Sequence, residues 1–81
     1  MTQPMTVYTT TTCGPCRRLK RQLVEVGIPF REVDVDDHPE FGARIEAATG
    51  GYRTVPTVEL AGRLLVNPSV PEILEALARV A

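Results

Sequence analysis

Residues 5–26 read MTVYTTTTCGPCRRLKRQLVEV and hold both cysteines of the chain, Cys13 and Cys16. Met5 to Thr10 is rich in β-branched and aromatic residues, which favours a strand. From Pro15 to Val26 apolar residues recur at steps of four and three, which predicts one face of an amphipathic helix. The two cysteines are therefore predicted to lie where a strand passes into a helix.

The sequence after this helix predicts a second strand and a second helix. Gly27 and Pro29 form a stop signal, because glycine adopts positive φ and proline cannot continue a helix. Residues 30–35 alternate with period two, which predicts a strand whose valines share one face. A second helix is expected from Pro39 to Gly50-Gly51, with its apolar face formed by Phe41, Ile45 and Ala48. Strand, helix and strand in this order predict a parallel pair.

The remaining sequence predicts a hairpin and a third helix. Residues 57–60 and 64–66 are short apolar runs, and Ala61-Gly62-Arg63 between them suits a turn. Ser69 and Glu72 form a capping box in front of a third helical pattern. The apolar positions of that pattern are Ile73, Leu77 and Val80. The element order β-α-β-α-β-β-α predicts an α/β fold in which three helices cover a four-stranded mixed sheet.

The composition limits the chain to one small domain. Eighty-one residues, 43% hydrophobic and 23% charged, suit a single domain over residues 1–81 and exclude a large two-domain cofactor enzyme. The formal net charge of −1 does not favour nucleic acid. No run approaches the roughly 18 apolar residues of a membrane span, and the amino terminus lacks a secretory signal pattern. We therefore expect a cytoplasmic monomer whose partners are neither nucleic acids nor membranes.

The spacing of the cysteines favours redox chemistry over structural stabilisation. A bridge across Gly14 and Pro15 closes too short a loop to remove much unfolded-state entropy, and a reducing cytosol would not maintain it. Unpaired N–H groups and the dipole at a helix start stabilise an anion; such surroundings lower a cysteine pKa from about 8.5 to roughly 3.5–7.5. Nearby cations add positive potential: Arg17, Arg18, Lys20 and Arg21. Cys13 is therefore the predicted thiolate nucleophile.

The second cysteine is predicted to have a different role. Cys16 lies one turn further along, on the helix face that it shares with Leu19 and Leu23, so it should be more buried. Its predicted role is to resolve a mixed disulfide formed at Cys13. A zinc site is not expected, because zinc takes four ligands and the chain offers two cysteines and the single histidine His38.

A second candidate site feature is the segment from Arg53 to Pro56. In one interpretation Pro56 only occupies the first position of a strand, where its missing N–H does no harm. In the other, a cis peptide between Val55 and Pro56 presents the Val55 backbone opposite Cys13, so that a substrate main chain can pair with it. The dithiol elsewhere in the chain favours the second interpretation.

These motifs resemble a known family. The C-G-P-C motif at a strand-helix junction, T-V-P before the third strand and the element order resemble the thioredoxin superfamily in its short glutaredoxin branch. The segments GGYRTVPTV at residues 50–58 and NPS at residues 67–69 are similar to the actinobacterial mycoredoxins, which reduce mixed disulfides with mycothiol.

The resemblance implies roles for five residues. Cys13 would be the nucleophile and Cys16 the resolving thiol of a thiol-disulfide oxidoreductase that needs no organic cofactor and no metal. The substrate-contacting loop would consist of Thr54, Val55 and cis Pro56. Implied partners are disulfide-containing proteins and a small thiol such as mycothiol, bacillithiol or glutathione as co-substrate.

The sequence leaves several functions open. The dithiol could act on protein disulfides or on mixed disulfides with a small thiol. An alternative is a glutaredoxin-like electron donor to ribonucleotide reductase that is recharged by thioredoxin reductase. Rivals from other classes are an iron-sulfur cluster held between the Cys13 thiols of two protomers, against which Pro15 and Cys16 argue, and a purely structural adaptor.

Overall fold

The computed structural model describes residues 5–80, and the elements within this range follow the predicted order. The strands are β1 (Thr6–Thr9), β2 (Arg31–Asp34), β3 (Thr57–Leu60) and β4 (Arg63–Val66). The helices are α1 (Gly14–Glu25), α2 (Pro39–Thr49) and α3 (Val70–Val80). The predicted β-α-β-α-β-β-α order is confirmed.

The four strands form one mixed sheet in the order β2-β1-β3-β4. β1 runs parallel to β2 and antiparallel to β3, where Tyr8 is paired with Thr57. β3 and β4 form the predicted antiparallel hairpin. Because β1 and β3 run in opposite directions, the end of β1 and the start of β3 lie at the same end of the sheet. The segment before Thr57 is thereby brought to the same end of the sheet as the cysteine motif.

Strand β1 is buried on both faces of the sheet. Val7 belongs to an apolar cluster with residues of α1, β3 and α3, including Leu23 and Ile73. Tyr8 points to the opposite face and packs with Val35 and with Ile45 of α2. Helices α1 and α3 therefore cover one face of the sheet, and α2 covers the other.

Two of the predicted helix boundaries are formed by local hydrogen bonds. After α1, the N–H of Ile28 donates to Leu23 O at 3.0 Å and that of Gly27 donates to Val24 O at 3.1 Å, with Gly27 at φ 75°. Before α3, the Ser69 N–H donates to a Glu72 carboxylate oxygen at 3.0 Å and the Glu72 N–H donates to Ser69 Oγ at 3.3 Å. The first is a Schellman motif and the second the predicted capping box.

Some boundaries and faces differ from the sequence-based expectation. Val26 and Val80 are 53% and 43% exposed, and Ala48 is also exposed, although each lies at an apolar helical spacing. Val26 follows the last residue of α1 as its cap, so its side chain leaves the packed face. The hairpin turn is shorter than predicted, because Arg63 already pairs with Leu60 in the ladder.

A polar network joins α2 to the sheet. The Tyr8 hydroxyl donates to the Glu59 carboxylate, and Arg44 of α2 donates to both oxygens of the same group, at 2.8 and 3.3 Å. Burial and the bond to Glu59 raise the pKa of Tyr8 to about 12. The bonds from Arg44 and then from Tyr8 lower the pKa of Glu59 below its ordinary value of 4.5.

We expect the Glu59→Gln variant to be less stable than the wild type at neutral pH, by a difference that decreases in acid. A group whose pKa is lowered by folding stabilises the fold above its unfolded pKa and loses that contribution as the pH falls through the folded value. The substitution should lower the free energy of unfolding by about 1–2 kcal/mol at pH 7, and the difference should narrow towards pH 3. Urea titrations at both pH values measure this.

The matched control is Glu75→Gln, which removes one partner of the exposed ion pair between Glu75 and Arg79 on α3. Exposed pairs contribute little, about 0–1 kcal/mol. A pH-independent loss of stability in Glu59→Gln would contradict an electrostatic role for the network.

Candidate active site

The site is built around Cys13, which is the amino-terminal cap of α1. After β1 ends at Thr9 the chain turns, and the Cys13 N–H donates to Thr10 O at 3.4 Å. Cys13 has extended backbone angles, φ −90° and ψ 107°, and its Sγ accepts a hydrogen bond from the Cys16 N–H at 3.0 Å. The first N–H groups of a helix have no partner within the helix. The Cys13 sulfur therefore occupies the position where such a group can stabilise a thiolate.

The structure holds Cys13 and Cys16 as a disulfide, with their Cα atoms 5.2 Å apart. Cys16 is 1% exposed and lies on the buried face of α1 with Leu19 and Leu23, as predicted. Cys13 is partly exposed. A substrate sulfur approaching from solvent can therefore reach Cys13, while the sulfur of Cys16 is accessible only from within the fold.

The start of α1 carries uncompensated positive charge. Its first turn has no acidic residue, and Arg17, Arg18 and Arg21 are exposed. None of these three arginines forms an ion pair with another residue in the 5–80 range. Cations at a helix amino terminus oppose the helix dipole, but here they add to the potential that favours an anion at Cys13.

The fourth cation of the helix has a different environment. Lys20 Nζ donates to a Glu32 carboxylate oxygen on β2 at 2.7 Å, and the buried Thr9 hydroxyl donates to the same oxygen at 2.8 Å. The bond from Lys20 is the main cause of a lowered Glu32 pKa. Lys20 thus anchors α1 to the sheet.

The segment Thr54–Pro56 lies at the same end of the sheet as the disulfide. The Val55–Pro56 peptide bond is cis, so the sequence-based preference for cis is confirmed. The Thr54 carbonyl accepts from Thr57 Oγ1 at 2.7 Å, and the Pro56 carbonyl accepts from the Asn67 N–H at 2.9 Å. The latter bond places residues 67–69 beside this segment, which joins the two sequence stretches singled out by the resemblance.

Val55 lies at the centre of this segment. Its side chain packs against the apolar cluster around Tyr8, Val35 and Ile45. In the described part of the chain, its N–H and C=O form no backbone hydrogen bond. A fixed main chain with unpaired groups can pair with an extended substrate as an added strand does.

Arg53, directly before this segment, lies across α2. Its Nη2 and Nε donate to Glu46 Oε1 at 2.9 and 3.3 Å. A Cβ atom on Gly42 would meet Arg53 Nε at 2.6 Å and Cζ at 2.8 Å, so the side chain occupies the space that glycine leaves open.

Arg53 belonged to the sequence-predicted candidate segment without a role of its own, and Gly42 and Glu46 were not predicted to belong to the site. The available signal was a glycine inside a predicted helix, where it is unfavourable by roughly 1 kcal/mol relative to alanine and usually marks close packing. Within residues 5–80 the side chains form no cluster of three or more potential metal ligands. The same range holds no helix long and apolar enough to cross a membrane.

The chain is similar to known proteins in both sequence and structure. The glutaredoxin family model matches residues 5–65. A Mycobacterium tuberculosis protein assigned as a glutaredoxin is 40% identical over 82 residues, which cover 100% of this chain and 98% of that protein. Mycoredoxin 1 of Corynebacterium glutamicum is 36% identical over 78 residues, covering 91% of this chain and 96% of that protein.

A solved structure agrees with these sequence matches. The holo form of glutaredoxin C1 from Populus tremula x tremuloides superposes with a TM-score of 0.74 at 29% identity, covering 98% of this chain and 87% of that one. Glutaredoxins use a redox-active cysteine pair with low-molecular-weight thiols as co-substrates. With its glutaredoxin fold and its Cys13–Cys16 pair at the start of α1, the chain belongs to the glutaredoxin family and is a thiol-disulfide oxidoreductase.

Proposed function

We propose that this protein reduces mixed disulfides between client proteins and a low-molecular-weight thiol, with Cys13 as the nucleophile and Cys16 as the resolving thiol. The observation that carries the proposal is the position of Cys13 Sγ, which caps α1 and accepts the Cys16 N–H at 3.0 Å, while Cys16 itself is buried. The Cys13 sulfur is therefore accessible and electrostatically favoured as a thiolate, whereas the Cys16 sulfur is buried and available to resolve a mixed disulfide at Cys13.

The reaction needs no reagent beyond thiols. The Cys13 thiolate attacks the small-thiol sulfur of the mixed disulfide, the S–S bond breaks, and the client leaves as a thiolate. The small thiol is now joined to Cys13. A second small thiol can attack its sulfur, so that the two leave as a disulfide and Cys13 is released as a thiolate. Alternatively, Cys16 attacks the Cys13 sulfur, the small thiol leaves, and the Cys13–Cys16 bridge that forms is reduced by two further small thiols, which leave as their disulfide.

The main chain of the Thr54–Pro56 segment is the proposed substrate-contacting surface. The N–H and C=O of Val55, which have no backbone partner among residues 5–80, lie at the end of the sheet that carries Cys13. A disulfide substrate that forms hydrogen bonds with Val55 would have its sulfur directed towards Cys13. The packed Val55 side chain and the bonded carbonyls of Thr54 and Pro56 support this role, because they keep the surface preorganised.

Mycothiol is the proposed small thiol. Mycoredoxin 1 of Corynebacterium glutamicum and this chain align over nearly their whole lengths, and bacillithiol and glutathione are the alternatives to be tested beside it. We propose that residues 1–81 act as a single glutaredoxin-like domain, as a monomer in the cytoplasm. Thioredoxin reductase is the alternative source of electrons if the small thiols do not recharge the protein.

We expect iodoacetamide at neutral pH to alkylate Cys13 of the reduced protein at least about tenfold faster than Cys16, because only the thiolate reacts and Cys16 is 1% exposed. Mass spectrometry of peptides sampled over time measures both rates in one reaction. The same measurement in urea is the control, since unfolding should bring the two rates together. Faster labelling of Cys16 in the folded protein would reverse the proposed roles.

A further inference from the structure

The structure assigns Arg53 as a positioning residue for the substrate-contacting segment Thr54–Pro56, held in place by Gly42 and Glu46 of α2. This inference rests on the proposed function, because it is meaningful for catalysis only if the segment binds substrate. Arg53 itself is not proposed to contact the substrate.

Arg53 contacts α2 at two residues, Glu46 and Gly42. Two of its nitrogens donate to one Glu46 oxygen, and its guanidinium lies within 2.6–2.8 Å of where a side chain on Gly42 would begin. Gly42 is buried, although most residues of α2 are exposed. The glycine thus leaves a space in the helix surface that the Arg53 side chain fills.

The residues next to Arg53 show why its contact with α2 affects the segment Thr54–Pro56. Tyr52 is fixed by its N–H, which donates to Thr49 Oγ1 at 2.9 Å. Thr54 and Pro56 are fixed through their carbonyls. Arg53 is the residue between these anchors, and its side chain joins the segment to α2. Displacing Arg53 should therefore remove the connection to α2 and loosen the segment, although the bonds to the Thr54 and Pro56 carbonyls remain.

Gly42→Ala is the most selective test. The added methyl group would displace the flexible Arg53 side chain while leaving both charges of the pair in the protein. Alanine is also the better helix former, so α2 should not be weakened. We expect the KM for a mycothiol mixed-disulfide peptide to rise by roughly fivefold, with kcat and the Cys13 alkylation rate unchanged. The NMR order parameter of the Val55 amide should fall.

A second variant protects the test against misfolding of the first. Arg53→Lys keeps the positive charge but loses the two-nitrogen contact with Glu46, and it should likewise raise KM and lower the Val55 order parameter. The matched control is Arg79→Lys, which alters an exposed arginine–glutamate pair on α3, at the opposite face of the sheet. The control should leave both quantities unchanged.

The outcomes distinguish the positioning role of Arg53 from the proposed contact of the segment Thr54–Pro56 with substrate. An unchanged Val55 order parameter in both Gly42→Ala and Arg53→Lys would overturn the inference, whatever the kinetics. A lower order parameter with unchanged KM would confirm that Arg53 positions the segment but contradict the segment's proposed contact with substrate. A lower KM in Gly42→Ala would also overturn the inference, because it would show that an arginine released from Glu46 binds the substrate directly.

Discussion

Cys13→Ser is expected to abolish turnover of every disulfide substrate, with a loss of at least about 10³-fold in kcat/KM. A serine hydroxyl is not ionised at neutral pH and cannot form the disulfide intermediate on which each proposed route depends. The rates to measure are those on mycothiol, bacillithiol and glutathione mixed disulfides and on a protein disulfide. All four should fall together, because all pass through a bond to the Cys13 sulfur.

The Cys13→Ser substitution should remove the activity without destabilising the fold. Cys13 is the amino-terminal cap of α1, and serine is among the best capping residues. Its hydroxyl oxygen can accept the Cys16 N–H that Sγ now accepts. The variant should therefore unfold at nearly the same urea concentration as the reduced wild type, the proper reference because Cys13→Ser cannot form the bridge.

Cys13→Ala provides the matched control for the cap. It lacks both the thiol and the capping oxygen, so it should be equally inactive and less stable than Cys13→Ser by about 1 kcal/mol. Residual activity of either variant on mixed disulfides would show that Cys16 can act as the nucleophile. That result would contradict the assignment of roles from burial.

Much of the fold could be predicted because its signals are local. The ends of α1 and α3 depend on residues close in sequence, Gly27 for one and Ser69 with Glu72 for the other. The alternation of residues 30–35 correctly placed Val33 and Val35 on one face. Ala48 and Val80 were wrongly expected in the core, because helical spacing shows which residues share a face but not how far the packed surface extends along it.

The site could be predicted only in part, because some of its contacts join residues that are far apart in sequence. Cys13 and Cys16 lie at the start of one helix, and their spacing along the sequence indicated that one is accessible and the other buried. The bond between Tyr8 and Glu59 joins residues 51 positions apart, and no periodicity predicts such a pairing. The contact of Arg53 with Gly42 also depends on how a loop crosses a helix, which a single sequence does not specify.

Helix α2 connects these unpredicted contacts. It is held to the sheet through Arg44 and Glu59 at one position, and it holds Arg53 through Glu46 two residues further along. The same helix packs Ile45 into the cluster that also supports Val55. The cysteine motif thus lies on α1, whereas the proposed substrate surface depends on α2 at the opposite face of the sheet, which allows substrate binding to be altered without changing the thiols.

The Cys16→Ser variant is expected to separate the two classes of substrate. Reduction of a mixed disulfide needs only Cys13, because a second small thiol can release the one bound there. Reduction of an intramolecular protein disulfide needs Cys16, because the client's second thiol stays tethered and reverses the first step unless Cys16 attacks. We expect activity on small-thiol mixed disulfides to stay within about threefold of wild type and activity on protein disulfides to fall at least about tenfold.

The measurement compares mycothiol, bacillithiol and glutathione adducts of one client peptide in parallel, each with its own thiol as reductant. Cys16→Ala is the matched control, because Cys16 is buried and a serine hydroxyl there could destabilise α1 for reasons unrelated to redox chemistry. Both variants should retain activity with the same thiol, which identifies the physiological partner, and mycothiol is the expected one. If both are inactive with all three thiols while the wild type reduces protein disulfides with thioredoxin reductase, the mixed-disulfide mechanism is wrong. The buried thiol would then be essential in every cycle, as an electron donor to ribonucleotide reductase requires.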